Sequence, residues 1–348
     1  KDSRYCAYQS KRCATEGVVR MKYVIHDNVK VVRRTQAPLA GRGLAYMHVT
    51  NKCNLNCIGC YSRNESRNRV PDLLLEQLRI IISELSKTGF STLVISGGEP
   101  LLRDDLPQLV AWAKTAGIGK ITIETNGTCV DLNVLERLNH LVDRIDVGID
   151  GYETRGPHFL RDKGSTRYAV KAILQIQSVG IPVAMVPTLH RKNTSHIDAY
   201  RAFAEELGVP VVFNILTGNP NIPPLDEYVL TDEDLQALAC LNQGTIHGSV
   251  CDAGTMVVSI DATGNVFPCR MLHDDEFCLG NLLDEPLESI LRSERTRRFC
   301  ATTFRCVLGC KFCNHRYVCS LECKERRHFP QMGYSTSYLG TSPLCSCI

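Results

Sequence analysis

The chain has 348 residues, of which 44% are hydrophobic and 22% charged, and its formal net charge is +3. This composition is that of a globular protein of about two domains, and the nearly balanced charge gives no case for a nucleic-acid partner. No apolar run approaches the roughly 20 residues that span a bilayer, and no secretory segment is visible, so we expect a soluble cytoplasmic protein without a membrane partner. The eighteen cysteines then favour metal binding in a reducing compartment over disulfides.

Residues 1–43 are predicted to form a short N-terminal extension with a β-hairpin. Asp27 and Asn28 lie between two apolar runs, and such residues between apolar alternations favour a turn. Cys6 and Cys13 are spaced CX6C outside any recognised motif. We expect them to be plain thiols, with a ligand or redox role as the alternative.

From Leu44 onward strand-like and helix-like runs alternate, which predicts a parallel sheet with crossover helices. The strands are expected at 44–49, 92–96, 119–124, 144–149, 182–188 and 210–215. The helices are expected at 72–87, 104–115, 131–141, 166–179 and 194–207. Six βα units form an α/β fold of the partial (β/α)6 TIM-barrel type, in which functional residues lie at the C-terminal ends of the strands.

Three cysteines, Cys53, Cys57 and Cys60, follow the first predicted strand in the spacing CX3CX2C. Three thiolates from one short loop can hold three irons of a 4Fe–4S cube and leave the fourth iron open for chemistry. A structural zinc site needs four ligands, normally from two separated pairs, so zinc suits this loop less well. The loop is therefore the candidate catalytic centre.

A stretch rich in Gly, Pro and Asn at 216–231 breaks the alternation of strands and helices. Twelve of the eighteen cysteines lie in 240–348, a density that is typical of a metal-organised module and too high for a hydrophobic core. We therefore expect a barrel domain over 44–220 and a small cysteine-rich domain over 221–348.

The cysteine loop and the turn Gly97-Gly98-Glu99-Pro100, which follows the second predicted strand, together resemble the radical SAM superfamily. The resemblance implies a 4Fe–4S cluster on the three cysteines, whose free iron takes the amino and carboxylate groups of S-adenosylmethionine, and a turn that helps to hold the methionine amino group. Two glycines let a backbone come close to a ligand, and a carboxylate accepts hydrogen bonds from an ammonium. The resemblance further implies cofactor contacts after the third and fourth strands, at Thr125, Asn126, Asp150 and Arg161. For Arg161 the alternative is an ordinary surface arginine without a cofactor contact.

The C-terminal cysteines resemble the SPASM extension of the same superfamily, with a CX12GX4C stretch followed by CX2CX5CX3C. The resemblance implies two auxiliary iron–sulfur clusters. The first would be held by Cys251, Cys269 and Cys323, and the second by Cys310, Cys313, Cys319 and a late cysteine, Cys345 in preference to Cys347. A fourth ligand of the first cluster stays open among Cys240, Cys278, Cys300 and Cys306, or that site is open to substrate. A pair of zinc knuckles is the alternative.

The resemblance implies that S-adenosylmethionine is cleaved reductively to a 5′-deoxyadenosyl radical, which takes a hydrogen atom from the substrate. Auxiliary clusters would then complete an oxidative modification, and a donor such as flavodoxin or ferredoxin would supply the electron. The expected substrate is a peptide or protein that acquires a crosslink or an oxidised side chain. The alternative is a small carboxylate-bearing molecule such as a tetrapyrrole of the haem pathway, and a third interpretation is an iron–sulfur electron carrier without turnover.

Two features narrow the expected substrate class. Many peptide-modifying relatives carry a leader-binding domain of about 80–90 residues that takes up a peptide strand at a sheet edge, and the 43 residues before the first predicted strand do not accommodate it. Sulfatase-maturing relatives place an acidic general base directly after the second SPASM cysteine, whereas here Cys269 is followed by Arg270. Because a guanidinium stays protonated, that subgroup is disfavoured, and Arg270 becomes a candidate partner for a substrate carboxylate.

Overall fold

The computed structural model describes residues 43–60, 62, 71–154, 158–216, 227–228, 230 and 252–301. The predicted hairpin of the N-terminal extension and the predicted boundary between 220 and 221 lie outside these residues, so both stay predictions. No helix in the described part of the chain has the length and apolarity needed to cross a membrane.

Six parallel strands form the centre of the fold, as the alternating pattern predicted. They are β1 (Gly43–His48), β2 (Phe90–Ser96), β3 (Lys120–Thr125), β4 (Arg144–Ile149), β5 (Val183–Leu189) and β6 (Asn214–Ile215). They lie side by side in sequence order, with registers such as Ala45 opposite Leu93 between β1 and β2. The α/β fold with a parallel sheet of the partial-barrel type is therefore confirmed.

Five helices connect these strands. They are α1 (Leu75–Lys87), α2 (Leu106–Thr115), α3 (Leu132–Leu138), α4 (Ser165–Ser178) and α5 (Ile197–Glu206). In α1 the residues Leu78, Ile81, Ile82 and Leu85 are buried, which is the i, i+3, i+4, i+7 spacing of a helix that packs one face on a sheet. The strands bury alternate apolar side chains against the same layer, and this layer forms the main hydrophobic core.

Several predicted elements are longer than the observed ones, and the third helix and the sixth strand show why. The third helix was expected to reach residue 141 but ends at Leu138, because Asn139 leaves helical geometry with ψ of 140° and His140 follows with φ of 64°. The sixth strand was expected over 210–215, whereas Val211 makes only an isolated bridge and the ladder resumes at Asn214.

The sheet continues beyond the predicted barrel into the cysteine-rich region. The added elements are β7 (Val257–Ile260), β8 (Asn265–Phe267), β9 (Gly280–Asn281), α6 (Leu287–Arg292) and α7 (Glu294–Ala301). β7 pairs in parallel with β1, and β8 and β9 follow as antiparallel strands at the same edge of the sheet. The β7–β8 turn contains Gly264 at φ of 90°, and the Asp261 carboxylate accepts the N–H groups of Thr263 and Asn265 in it. This left-handed position explains why the CX12GX4C stretch has glycine there.

Candidate active site

The cysteine loop (residues 51–60) begins directly after β1, at the C-terminal edge of the sheet. Its three thiols are each partly buried. Two backbone N–H groups of the loop donate to residues 158–162. We call this segment the Asp150 turn, because the Asp150 carboxylate accepts its backbone N–H groups. The N–H of Asn56 donates to the Asp162 carboxylate over 3.1 Å, and the N–H of Ile58 donates to the Leu160 carbonyl over 2.6 Å. The loop is therefore held on one side by the segment that follows β4.

The Gly-Gly-Glu-Pro turn (residues 97–100) packs directly on the start of the cysteine loop. The N–H of Gly98 donates to the Thr50 carbonyl and that of Glu99 to the Lys52 carbonyl, each over 2.8 Å. A Cβ on Gly98 would lie 2.5 Å from the carbonyl carbon of Lys52 and closer still to its oxygen. The two glycines were expected to let a ligand approach, and in the structure the backbone of the cysteine loop occupies the space beside them.

Glu99 joins the ends of β2 and β3 through its side chain. The carboxylate is fully buried, and it accepts Thr125 Oγ1 over 2.7 Å, the N–H of Asn126 over 2.7 Å and the N–H of Leu101 over 3.0 Å. Burial raises the pKa of Glu99, and these hydrogen bonds and the charge of Arg161 oppose the rise. These three donors use much of the hydrogen-bonding capacity of the carboxylate, so contacts within the barrel fix its position.

The side chain of Asn126 contacts Cys53, the first cysteine of the loop, and its neighbour Asn54. Its Nδ2 donates to Asn54 Oδ1 over 2.9 Å and lies 3.8 Å from the sulfur of Cys53. Asn54 in turn donates to Thr128 Oγ1 over 2.7 Å, so the two amides and the hydroxyl form one connected set. Sequence reasoning did not single out Asn54 or Thr128, because neither belongs to the cysteine spacing or to a strand end.

Asp150 organises the turn that carries Arg161. Its buried carboxylate accepts the N–H groups of Phe159, Leu160 and Arg161, and the Tyr200 hydroxyl donates to its backbone carbonyl over 2.6 Å. Backbone donors converging on one carboxylate fix the direction of the chain at this point. The role of Asp150 in this structure is thus to position its neighbours.

The guanidinium of Arg161 lies over β4, inside the barrel. A Cβ on Gly148 would be 2.8 Å from Arg161 Cζ, so the glycine leaves the space that the guanidinium occupies. Burial raises the pKa of Cys57 to about 11, and the charge of Arg161 opposes this rise. A cation beside buried thiols favours the thiolate form that binds iron.

The donor set of the loop fits a three-thiolate cluster site, with three thiols from one short segment and a cation next to them. Among the described residues no three His, Cys, Asp or Glu side chains are arranged around a single metal ion. That finding concerns a site for one ion. A cube takes one thiolate per iron, so its three thiols lie further apart than the ligands of one ion, and the loop cysteines still fit a cluster.

Two family models match the chain. The radical SAM superfamily model covers residues 47–204, and the SPASM model, described as an iron–sulfur cluster-binding domain, covers residues 251–314. The chain belongs to the radical SAM superfamily. It carries a C-terminal SPASM domain, and the family brings with it a 4Fe–4S cluster and S-adenosylmethionine.

Curated relatives of this radical SAM protein have different substrates in their names. The "Fe-coproporphyrin III synthase" of Methanosarcina barkeri is 26% identical over 66% of this chain and 58% of its own length. The "Mycofactocin maturase MftC" of Mycobacterium tuberculosis is 29% identical over 68% of this chain and 66% of its own length. The "AdoMet-dependent heme synthase" of M. barkeri is 25% identical over 90% of this chain and 98% of its own length. The chain thus spans less than two thirds of the first two relatives and nearly all of the third.

Solved structures share the fold at low identity. SuiB of Streptococcus suis bound to S-adenosylmethionine superposes with a TM-score of 0.68 at 16% identity, over 90% of this chain and 77% of SuiB. The structure titled "Native anSMEcpe with bound AdoMet" gives a TM-score of 0.66 at 15% identity, over 87% of this chain and 94% of its own. At these identities the likeness shows a shared fold and nothing further.

Arg270 of the SPASM domain reaches into the radical SAM barrel. Its Nη1 is 2.8 Å from Glu124 Oε1 on β3, its Nη2 is 3.5 Å from Asn214 on β6, and its guanidinium carbon lies 4.8 Å from the centre of the Tyr46 ring on β1. The second oxygen of Glu124 accepts the Ser96 hydroxyl over 2.9 Å. The carboxylate that Arg270 pairs with in this structure therefore comes from the barrel, and Glu124 is an interior residue that sequence reasoning missed.

Of the predicted auxiliary ligands, only Cys269 lies among the described residues. The others are outside them: Cys251, Cys310, Cys313, Cys319, Cys323 and Cys345. Cys269, Cys278 and Cys300 pack around one apolar cluster of the SPASM domain, which is formed by Ala253, Phe267, Leu272, Phe277 and Phe299. The iron–sulfur description of this domain and its thiol content agree, and its individual ligands stay predictions.

Proposed function

We propose that this protein is an enzyme that cleaves S-adenosylmethionine reductively and uses the radical to remove a hydrogen atom from a peptide or protein side chain. Auxiliary clusters held by the SPASM domain would supply the acceptor for the electron that the substrate loses, so that the net modification would be an oxidation such as a crosslink. The bound cluster and S-adenosylmethionine supply the radical chemistry, while the protein binds, aims and excludes water. A flavodoxin- or ferredoxin-like protein provides the electron.

The observation that carries this proposal is the arrangement at the C-terminal edge of the barrel. The ends of β2, β3 and β4 each hold the cysteine loop in place, through the Gly98 backbone, the Asn126 amide and the Asp150 turn. In this proposal Glu99 belongs to the turn at the methionine amino group, Asn126 contacts the ribose or methionine of the cofactor, and Arg161 lies near the methionine carboxylate. A loop fixed from three strands presents its thiols in one geometry, which suits a cluster with one iron left for S-adenosylmethionine.

Three comparisons support a peptide substrate. One relative is named a maturase, and two of the similar structures are titled with a bound peptide, namely SuiB with the precursor peptide SuiA and anSMEcpe with the Cp18Cys peptide. The bound peptides in these two structures support a peptide substrate for this chain. The interior pair of Arg270 and Glu124 offers such a peptide both a donor and an acceptor of hydrogen bonds.

A tetrapyrrole is the second candidate substrate, because the haem synthase matches 90% of this chain and 98% of its own length. Arg270 was the residue expected to bind a carboxylate of such a molecule. Since Glu124 neutralises it in this structure, Arg270 by itself does not favour an anionic substrate over a peptide.

The first experiment asks whether the cysteine loop carries a cluster. After anaerobic reconstitution we expect about twelve irons per chain, falling by about four when Cys53, Cys57 and Cys60 are all replaced by alanine. The matched control is Cys129→Ala, which removes a thiol near the loop but outside the CX3CX2C spacing and is expected to keep all the iron. Equal iron in the wild type and the triple variant would show that the loop cysteines bind no cluster and would contradict the proposal.

The second experiment separates the substrates. The reduced protein is incubated with S-adenosylmethionine and either a library of deuterated synthetic peptides or deuterated Fe-coproporphyrin. We expect deuterium in 5′-deoxyadenosine and a loss of two hydrogens in a peptide. Transfer from the porphyrin alone would establish the second candidate, and no 5′-deoxyadenosine under any condition would leave only the electron-carrier interpretation.

A further inference from the structure

The outward side of α4 is positively charged and partly apolar. Four exposed residues form it, and we call them the α4 face: Arg167, Tyr168, Lys171 and Leu174. Their spacing of i, i+1, i+4 and i+7 places them along one side of the helix. Tyr168 and Leu174 are 54% and 53% exposed, which is high for large apolar side chains. This face therefore combines two cations with apolar area.

The charges of α4 are not those that stabilise a helix. α4 contains no carboxylate, and its first turn contains Arg167. The first turns of α1 and α5 contain Glu76 and Asp198, as the positive end of the helix dipole favours. A cation in the first turn is opposed by this dipole, so helix stability does not account for Arg167.

The cations of this surface are not neutralised by the described part of the chain. Neither Arg167 nor Lys171 forms an ion pair with a carboxylate of the described residues, and neither does Lys163, an exposed residue just before the helix. By contrast, Lys114 on α2 pairs with Asp143 over 2.9 Å. Three such cations within residues 163–171 attract an acidic partner.

The same surface reaches the cysteine loop. Ile58, which directly follows Cys57, is 45% exposed, and its N–H donates to the carbonyl of Leu160 in the Asp150 turn. Lys163 directly follows that turn and lies two residues before α4 begins. An exposed apolar residue of the loop is thus bonded to a residue only three positions before the first cation. An electron that enters here has a short path to the thiols.

We propose that Ile58, Lys163 and the α4 face form the docking surface for an acidic, flavodoxin-like electron donor. The cations steer the acidic protein, and the exposed apolar side chains supply contact area for the flat edge of its flavin. Electron-transfer complexes are weak and bury less than about 1,200 Å², so a surface of one helix face and one loop residue suffices. One electron passes from the reduced flavin, which is oxidised, to the cluster of the loop, which is reduced, and no bond forms or breaks. The inference rests on the cluster and the donor of the proposed function, but it is independent of the substrate.

An acidic substrate peptide is the other partner that these cations attract. α4 packs against β4 and buries Ala169 and Ile173 in the core, so its exposed face points away from the barrel interior, where Arg270 and Glu124 lie. A peptide on this face is not next to the radical. The position therefore favours the electron donor.

The test uses the reconstituted full chain with Arg167→Glu and Lys171→Glu combined. Stopped-flow absorbance measures the rate at which the protein oxidises reduced flavodoxin without S-adenosylmethionine, and 5′-deoxyadenosine is measured with flavodoxin, ferredoxin or dithionite as the reductant. The matched control combines Lys120→Glu and Arg137→Glu. These two exposed cations lie at the start of β3 and in the last turn of α3, at the opposite edge of the sheet, and give the same change of net charge.

We expect the α4 variant to lower the second-order rate constant with flavodoxin by at least about tenfold at low salt, and to weaken its salt dependence. The rate with dithionite should not change, and the control should stay within about twofold of the wild type. The neutral pair Arg167→Gln and Lys171→Gln should show a smaller loss, and it serves as the test if the charge reversal alters the fold.

Four results would overturn the proposal. They are an unchanged rate with flavodoxin, an equal loss in the control, a loss that also appears with dithionite, and a loss confined to ferredoxin. The third would point to the cysteine loop or an acidic substrate, and the fourth to a donor without flavin. If the wild type forms no 5′-deoxyadenosine with any reductant, the proposed function fails, while the oxidation of flavodoxin still tests the docking surface.

Discussion

Gly98→Ala tests the close packing of the Gly-Gly-Glu-Pro turn on the cysteine loop. The new Cβ would lie 2.5 Å from the carbonyl carbon of Lys52 and 2.9 Å from the carbonyl oxygen of Asn51. Both are backbone atoms, so no side chain can turn away. The loop has to move by about 1.5 Å to restore an ordinary contact of 3.4 Å with the Lys52 carbonyl oxygen, the nearest atom, and this movement strains its two hydrogen bonds to the turn.

The expected cost follows from these two effects. Overpacking of a close contact costs about 1–3 kcal/mol, and each weakened backbone hydrogen bond adds up to about 1 kcal/mol. We therefore expect Gly98→Ala to lower the free energy of unfolding of the iron-free protein by about 3 kcal/mol. Iron at the loop cysteines should fall as well, because the thiols move with the loop.

The measurement is urea unfolding of the iron-free chain, together with iron analysis after reconstitution. The matched control is Gly119→Ala, whose new Cβ would lie 3.6 Å from the carbonyl of Ser91, an ordinary contact at a residue without left-handed φ. The control should stay within about 0.5 kcal/mol of the wild type. If Gly98→Ala keeps the stability of the iron-free protein and weakens only the binding of S-adenosylmethionine, the glycine serves ligand approach alone and the packing argument is wrong.

Three further predictions concern the polar groups inside the barrel. Asp150→Asn removes the charged acceptor of three backbone N–H groups, so the free energy of unfolding should fall by about 1–3 kcal/mol in thermal unfolding. Calorimetry should show weaker binding of S-adenosylmethionine. An unchanged affinity would contradict the positioning role. Glu124→Gln and Arg270→Gln should each lower the free energy of unfolding by about 1–2 kcal/mol, because both side chains are mostly buried. The double variant should lose less free energy than the sum of the two single variants. Full additivity would show that the pair is not coupled. Burial lowers the pKa of His48 to about 3 and that of His273 to about 4, so both stay neutral in the folded state while the unfolded state gains protons below pH 6.5. Stability should therefore fall between pH 6.5 and 5 by about 2 kcal/mol per histidine, and His273→Gln should remove about 2 kcal/mol of this fall in urea titrations; an unaltered pH dependence would contradict the assignment.

The barrel could be predicted from the sequence because β1 to β5 carry buried apolar residues in short runs and its helices repeat apolar residues at helical spacing. The observed β4, Arg144–Ile149, has the predicted bounds, and the other barrel elements except β6 differ by a few residues at their ends. The joining of β7 to β1 was not predicted. β7 has four residues and β9 only two, and such short strands carry little periodicity.

The site could be predicted only in part, because a motif identifies residues and not their partners. Glu99 was expected to face the cofactor, and the sequence does not show that Thr125 and Asn126 would both donate to its carboxylate. The pair of Arg270 and Glu124 joins residues 146 positions apart, so no local pattern contains it. Contacts of this kind depend on how strand ends meet in the folded barrel.

The described contacts also bear on how the polar residues at the strand ends act. Gly98, Asn126 and Asp150 follow β2, β3 and β4, and each of them positions the cysteine loop directly or through the turn beside it. A residue that holds the loop and also contacts a ligand affects both when it is replaced, since movement of about 1 Å is enough to impair an aligned site. Loss of activity in a variant at any of these positions therefore does not by itself show a ligand contact. The stability of the iron-free protein distinguishes the two roles, because only the positioning contacts exist before the cluster and S-adenosylmethionine bind.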